Sequence, residues 1–342
     1  MKLRQYHCHL PLAHRWKIAS GENSTAREVV IVELTDEDGV VGLGEAAPAA
    51  NSGETPASID AAYQSINAIH FSFEDLAGSM ARLESLPPVA RCGLNTALAD
   101  GAAKHARQPL YDFFKLGFRE NHHVTSFSIG IDTPDVIRQK VLAAANYPVL
   151  KLKVGDARDR ENLATLRSVA PDKPVRVDAN EGWTTKEQAL QMLEWLAQDG
   201  RIEFVEQPLP RTASRNDMAW LKERSPLPLF ADESCRTAQD IPFCAECFHG
   251  VNVKLAKSGG VSGAHETLQA ARRAGLKTMI GCMIESSVLI SAAAHLTELA
   301  DYLDLDGNLL ITDDPYRGVT ATNGVLSFAH AKEPFGLRVT RR

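Results

Sequence analysis

The chain reads as an α/β protein, a modified (β/α)8-type barrel of the TIM-like kind preceded by a small α+β domain to which the C-terminal tail returns. Three observations predict it. After His122, eight strand signals recur at roughly 22–28-residue spacing, each followed by a helical pattern. Before His122 the pattern is different, three alternating runs and then helical periodicity. Finally, three consecutive barrel strands end in a carboxylate, at the end of the barrel where such folds carry their chemistry.

In order along the chain, residues 3–10, 28–35 and 40–45 alternate as strands, and Asp36-Glu37-Asp38-Gly39 joins the latter two as a turn. The result is an antiparallel meander. Gly42-Leu43-Gly44-Glu45-Ala46-Ala47 loosely fits a dinucleotide fingerprint, but it ends a hairpin and runs into Pro48 instead of opening a helix. Ser58-Ile59-Asp60, Phe73–Leu83 and Ala90–Ala106 have helical spacing, which makes residues 1–120 an α+β domain.

Residues 121–313 form the barrel. Its candidate strands are Val124–Ile131, Val149–Val154, Val175–Asp178, Phe204–Glu206, Leu229–Asp232, Val251–Lys254, Thr278–Gly281 and Tyr302–Asp306. Amphipathic stretches such as Thr185–Gln198 and Ser262–Ala274 lie between them. Residues 314–342, with Gly324 and two short strand-like runs, are expected to return to the first domain.

Composition narrows the function. With 44% hydrophobic and 23% charged residues among 342, the chain is an ordinary globular protein, and its net charge of −6 offers no basic field for nucleic acid. Met1–His14 alternates and has no apolar core of signal-peptide length, while the longest apolar stretch is interrupted by Glu285 and His295. The expectation is a cytoplasmic protein away from membranes. Six cysteines are too sparse for a disulfide framework. Cys244 and Cys247, near Cys235 and His249, suggest zinc, but no second ligand pair follows and Phe243 and Phe248 favour a packed helix face.

The chemistry begins at Val149-Leu150-Lys151-Leu152-Lys153-Val154. Side chains of a strand alternate, so Lys151 and Lys153 share a face. Two like charges buried together lower the proton affinity of one lysine, and such a lysine is a general base. Asp178, Glu206 and Asp232 end the next three strands. Each alone would more often be a helix cap, but three converging carboxylates repel one another unless a cation holds them, and oxygen ligands point to Mg2+. Lys254 ends the sixth strand, across the ring from Lys153. A metal between opposed bases suits removal of a proton α to a carboxylate and its return to either face.

The set K-x-K, D-x-N, E-Q-P, D-E-S and K, with G-x-G-E in the first domain, resembles the enolase superfamily in its muconate-lactonizing-enzyme-like subgroup. Asp304-Leu305-Asp306-Gly307 on the eighth strand resembles the dipeptide epimerases, in which a D-x-D holds the substrate's α-ammonium; a capping Asp pair is the plain alternative. The resemblance implies that Lys153 and Lys254 are the acid/base pair with Lys151 assisting, and that Asp178, Glu206 and Asp232 bind one Mg2+ per subunit. It implies that the first domain caps the barrel. Ser126, Ser128, Cys282, Met283 and Ile284 would line the substrate, and Asn180 and Lys257 would support the site, although Lys257 reads equally as a solvated loop lysine.

The expected reaction is inversion at the α-carbon of the C-terminal residue of an L,L-dipeptide. Members acting on L-Ala-Glu carry an arginine in the loop after the first strand, whereas Ile18–Thr25 has none before Arg27. A glutamate side chain would lack its counter-charge, so the second residue is expected to be apolar or, facing Glu22, cationic. The loop Ala49–Glu54 is expected to close over the substrate. The alternatives are N-acyl amino acid racemisation or cycloisomerisation on the same residues, and a catalytically silent barrel with a binding role. The partner is a small molecule, and assembly into a homo-oligomer stays open.

Overall fold

The computed structural model describes residues 1–21, 23–49 and 52–342. The chain opens with a three-stranded antiparallel sheet, β1 (Lys2–Lys17), β2 (Asn23–Thr35) and β3 (Val41–Ala46), in that order. Asp36 closes the second turn by accepting the Val40 N–H at 2.8 Å, and Gly39 supplies the positive φ of +82°. β2 is buried on both faces. Val30, Val32 and Leu34 pack with Ile59, Tyr63 and Leu94, while Val29 and Ile31 join the core shared with the barrel.

The helix Pro88–His105 lies directly on β3. A Cβ on Gly44 would stand 2.0 Å from the Gly93 carbonyl oxygen, and one on Gly42 2.1 Å from that of Ala97. The glycines of G-x-G-E therefore serve helix–strand contact, in a strand and not at the start of a helix.

The barrel strands are β4 (Phe127–Ile129), β5 (Leu150–Lys153), β6 (Val175–Asp178), β7 (Ile202–Glu206), β8 (Leu229–Ala231), β9 (Gly250–Lys254), β10 (Lys277–Gly281) and β11 (Tyr302–Asp304). They form one parallel sheet in chain order, and a bridge between Thr125 and Leu303 brings the last strand to the first. Their register puts Lys153 beside Asp178 and Asp178 beside Glu206; Gly281 pairs with both Lys254 and Asp304. These residues therefore form one layer. Below it, Phe204, Phe230 and Met279 fill the interior, and the Arg176 guanidinium lies over the rings of Phe204 and Tyr302 and donates to the Leu303 carbonyl at 2.6 Å. That end is closed, so the site faces the other.

The tail makes two short strand pairs, Tyr316–Arg317 with Thr340–Arg341 and Thr320–Thr322 with Val325–Ser327, and the Leu337 N–H donates to Asp100 on the helix Pro88–His105 at 2.7 Å. Cys244 and Cys247 are buried on the helix Ile241–Cys247, beside Phe243 and Phe248, whose ring centroids are 6.4 Å apart. Among the described residues no helix is long and apolar enough to cross a membrane.

Candidate active site

Asp178, Glu206 and Asp232 are buried, and one oxygen of each lies within 4.8 Å of the others. The backbone turns away sharply behind the first two. Asn180 and Gln207 have φ of +42° and +37°, and the reversal leaves the carboxylates at the layer's edge. Gln207 ties two of the loops together. Its Oε1 accepts the N–H groups of Asp232 and Ser234 at 3.0 and 3.1 Å, and its Nε2 donates to the Leu209 carbonyl at 2.8 Å. Asn252 donates to Glu206 Oε1 at 2.7 Å, and Asn180 donates its N–H to Asp178 at 3.0 Å and its amide to Glu233 at 3.3 Å.

Four lysines surround these acids. Lys151 Nζ lies 2.6 Å from Asp304, 2.8 Å from Glu206 and 3.0 Å from Asp178. Lys153 Nζ is 2.6 Å from Asp178 Oδ2 and 5.9 Å from the centroid of the Trp16 ring, a cation–π contact reaching in from β1. Lys254 Nζ is 2.8 Å from Asp232 Oδ2. Lys257 bonds the Asp232 carboxylate and carbonyl and lies 3.3 Å from the Asn252 carbonyl, so it is a site lysine and not a solvated one.

The expectation that burial beside a second lysine lowers a lysine's proton affinity does not hold for Lys151. Burial pushes Lys151 and Lys254 down, but the facing carboxylates outweigh it: Asp178, Asp304 and Glu206 raise Lys151 well above the ordinary lysine value, and Asp232 chiefly raises Lys254. Lys151 is a fixed ammonium.

The donor set fits a divalent cation. Asp178, Glu206, Asp232, Glu233, Asp304 and Asp306 face Lys151, Lys153, Lys254 and Lys257, six carboxyls against four ammoniums, which leaves two surplus negative charges. The surplus registers on individual groups. Burial and then Asp178 push Glu206 up to about 7, and burial and then Asp232 push Glu233 up to about 8. Three oxygen donors at the ends of three adjacent strands are the hard, carboxylate-rich set that magnesium takes.

Across the mouth, Asp304 Oδ1 accepts from Ser126 Oγ at 2.8 Å and Ser128 Oγ at 3.4 Å, and the Ser128 N–H donates to Asp306 Oδ2 at 2.6 Å. Asp306 lies beyond the strand, which ends at Asp304, as the residue before the short turn Gly307–Leu309. The pair meets the same cavity by this turn and not by strand alternation. Burial opposes ionisation of Asp304, but Lys151 and Lys153 hold it at about 2; burial and Asp304 push Asp306 up to about 7. Cys282 donates its thiol to the Asp304 carbonyl at 3.1 Å and lines the pocket with Met283 and Ile284.

Trp16, Ile18 and Leu310 add an apolar wall, with Ala47, Ala49 and Ser52 beside it. Arg27 on β2 also lines this pocket, so an arginine stands at the cavity although Ile18–Thr25 holds none. Glu22, and Ala50 and Asn51 of the second loop, lie outside the described residues. Trp16, Gln207, Glu233 and Asn252 were missed by sequence reasoning. Asn252 was within reach of it, since it stands two before Lys254 on one strand and shares its face.

Residues 136–316 match the family described as Enolase C-terminal domain-like, and residues 5–114 match the Mandelate racemase / muconate lactonizing enzyme N-terminal domain. The chain is 61% identical over 345 aligned positions to the L-Ala-D/L-amino acid epimerase of Pedosphaera parvula, covering 99% of both. A substrate-liganded L-Ala-D/L-Glu epimerase from Bacillus subtilis superposes with a TM-score of 0.91 at 27% identity, covering 100% of this chain and 98% of that one. The dipeptide epimerase from Enterococcus faecalis, complexed with Mg and L-Leu-L-Tyr, superposes at 0.88 with 30% identity, covering 99% of each. By sequence and by fold, the chain belongs to the enolase superfamily and, within it, to the dipeptide epimerase family.

Proposed function

We propose that the protein is a magnesium-dependent dipeptide epimerase that inverts the α-carbon of the second residue. The observation that carries this reading is one cavity with a carboxylate triad between Lys153 and Lys254 and an aspartate pair at its edge. Asp304 and Asp306 bind the substrate ammonium, and that contact directs the substrate carboxylate toward Asp178, Glu206 and Asp232. A magnesium ion held by those three residues would neutralise the carboxylate as the α-proton leaves. Lys153 accepts that proton at Nζ from one face of the carbon and Lys254 delivers one from the other; the reverse reaction exchanges their roles. Lys151 stays protonated and supplies fixed positive charge where negative charge develops.

The second side chain lies against Trp16, Ile18, Met283 and Ile284, so apolar second residues are the expected best substrates. Arg27 on the same wall removes the argument against an acidic one. The test is mass spectrometry of pooled L,L-dipeptides incubated in D2O with the protein and Mg2+. A gain of one deuterium on particular dipeptides supports epimerisation and identifies the side chains. No exchange on any dipeptide overturns the reading.

A further inference from the structure

The Glu45 carboxylate of G-x-G-E is fully buried, and every hydrogen bond it makes through its side chain in the described structure crosses from the first domain to the barrel. Its Oε1 accepts the Ser286 N–H at 2.9 Å, and its Oε2 accepts the Ser286 hydroxyl at 2.5 Å and the Leu289 N–H at 3.4 Å. Ser286 caps the helix Ser287–Ala294. Burying a carboxylate is costly, and an apolar pair would hold two surfaces together as well. What the carboxylate adds is a fixed position.

That position matters because of what flanks it on each side. Two residues after Glu45 comes Ala47, followed by Ala49, both pocket-lining; two residues before Ser286 comes Ile284, preceded by Met283, also pocket-lining. On its own side Glu45 is held rigidly, since β3 is seated on the helix Pro88–His105 at Gly42 and Gly44. On the barrel side, buried Glu285 accepts the Met283 N–H at 3.3 Å and steadies the same loop.

We propose that Glu45 is a positioning residue that sets the spacing between the wall at Ala47–Ala49 and the wall at Met283–Ile284. The slot so formed receives the side chain of the epimerised residue. This rests on the dipeptide reading above.

The experiment compares deuterium exchange on L-Ala-L-Leu with exchange on L-Ala-Gly, which has no side chain to grip. Glu45→Ala is expected to raise KM for L-Ala-L-Leu by ~10-fold or more and to change exchange on L-Ala-Gly by less than ~2-fold, because a misplaced wall acts only through the side chain that touches it. Glu45→Gln keeps an acceptor for the Ser286 N–H and should restore most of the loss. Ser286→Ala, which removes a donor from the barrel side, should shift KM for L-Ala-L-Leu in the same direction, and it decides the matter if Glu45→Ala does not fold. Equal losses on both dipeptides, or an unchanged KM, overturn the proposal. Wild-type protein that exchanges neither overturns the proposal of an apolar slot, and the dipeptide reading falls with it if no pooled L,L-dipeptide exchanges either.

Discussion

Lys151 Nζ and Asp304 Oδ2 meet at 2.6 Å inside the barrel, and the contact divides the labour of the aspartate pair. Asp304 is already engaged by the Lys151 ammonium and Ser126, while Asp306 is in no ion pair among the described residues: its Oδ2 accepts the Ser128 N–H at 2.6 Å and its Oδ1 lies 3.9 Å from the Cys282 thiol. The substrate ammonium should therefore depend more on Asp306. Asp306→Asn is expected to raise KM for dipeptides by ~10- to 100-fold with a smaller change in kcat, the loss of a charge-assisted hydrogen bond. Asp304→Asn should instead lower kcat, since it loosens Lys151. Steady-state kinetics of the two variants separate these effects, and equal KM changes would count against the division.

The same pair gives a pH dependence. Asp306 titrates at about 7 in the free site because burial and Asp304 disfavour its charge, and a bound ammonium favours that charge. Binding then releases a proton below pH 7, so KM should fall by up to ~10-fold per pH unit as pH rises toward 7 and level off above it. In Asp306→Asn this slope should vanish. A wild-type KM that is flat between pH 5.5 and 7.5 contradicts the assignment.

The convergence of the three triad carboxylates makes magnesium a stabiliser of the folded chain. At a concentration of ~100 Kd the ion should add about 2.7 kcal/mol, read as a rise in Tm in a thermal melt. Asp232→Asn should abolish the rise, and a barrel that binds no metal would show none in the wild type either.

His295 is a stability site away from the chemistry. It is buried, stacked at 4.6 Å centroid distance on Phe328, and accepts the Tyr111 N–H at 3.2 Å; burial drives it down to about 3 from an ordinary 6.5. The unfolded chain takes up this proton below pH 6.5 and the folded chain only near pH 3, so stability falls as pH falls through that window. The gap corresponds to about 5 kcal/mol. Denaturant melts from pH 7 to 4 should show His295→Gln losing less stability than wild type, and parallel losses would refute it.

The sequence made the barrel and the residues that converge at its mouth legible because strand alternation is strictly local. Lys151 and Lys153, then Asp178, Glu206 and Lys254, could each be assigned to the barrel interior from a few neighbours, and the parallel register does the rest. What escaped it depends on distance or on backbone turns. Glu45 and Ser286 are 241 residues apart. Gln207 acts from a left-handed turn that nothing in Glu-Gln-Pro announces, and Asp306, though singled out by the D-x-D, reaches the cavity by a turn past the strand and not by the strand's alternation. β1 runs on to Lys17 although the expected strand stops at residue 10, because it pairs with β2 again at Trp16 after an irregularity that follows Pro11. That extension is what delivers Trp16 to Lys153.

The central claim is that Lys153 and Lys254 work on opposite faces of one carbon. The most direct measurement follows deuterium entry at the second residue of L-Ala-L-Leu and of L-Ala-D-Leu by proton NMR in D2O, with Lys153→Ala and Lys254→Ala, each loaded with Mg2+. The account predicts that neither variant epimerises, and that each exchanges one diastereomer only, the opposite one in the two variants. If either variant exchanges both diastereomers, or the two retain the same one, the two-base assignment is contradicted.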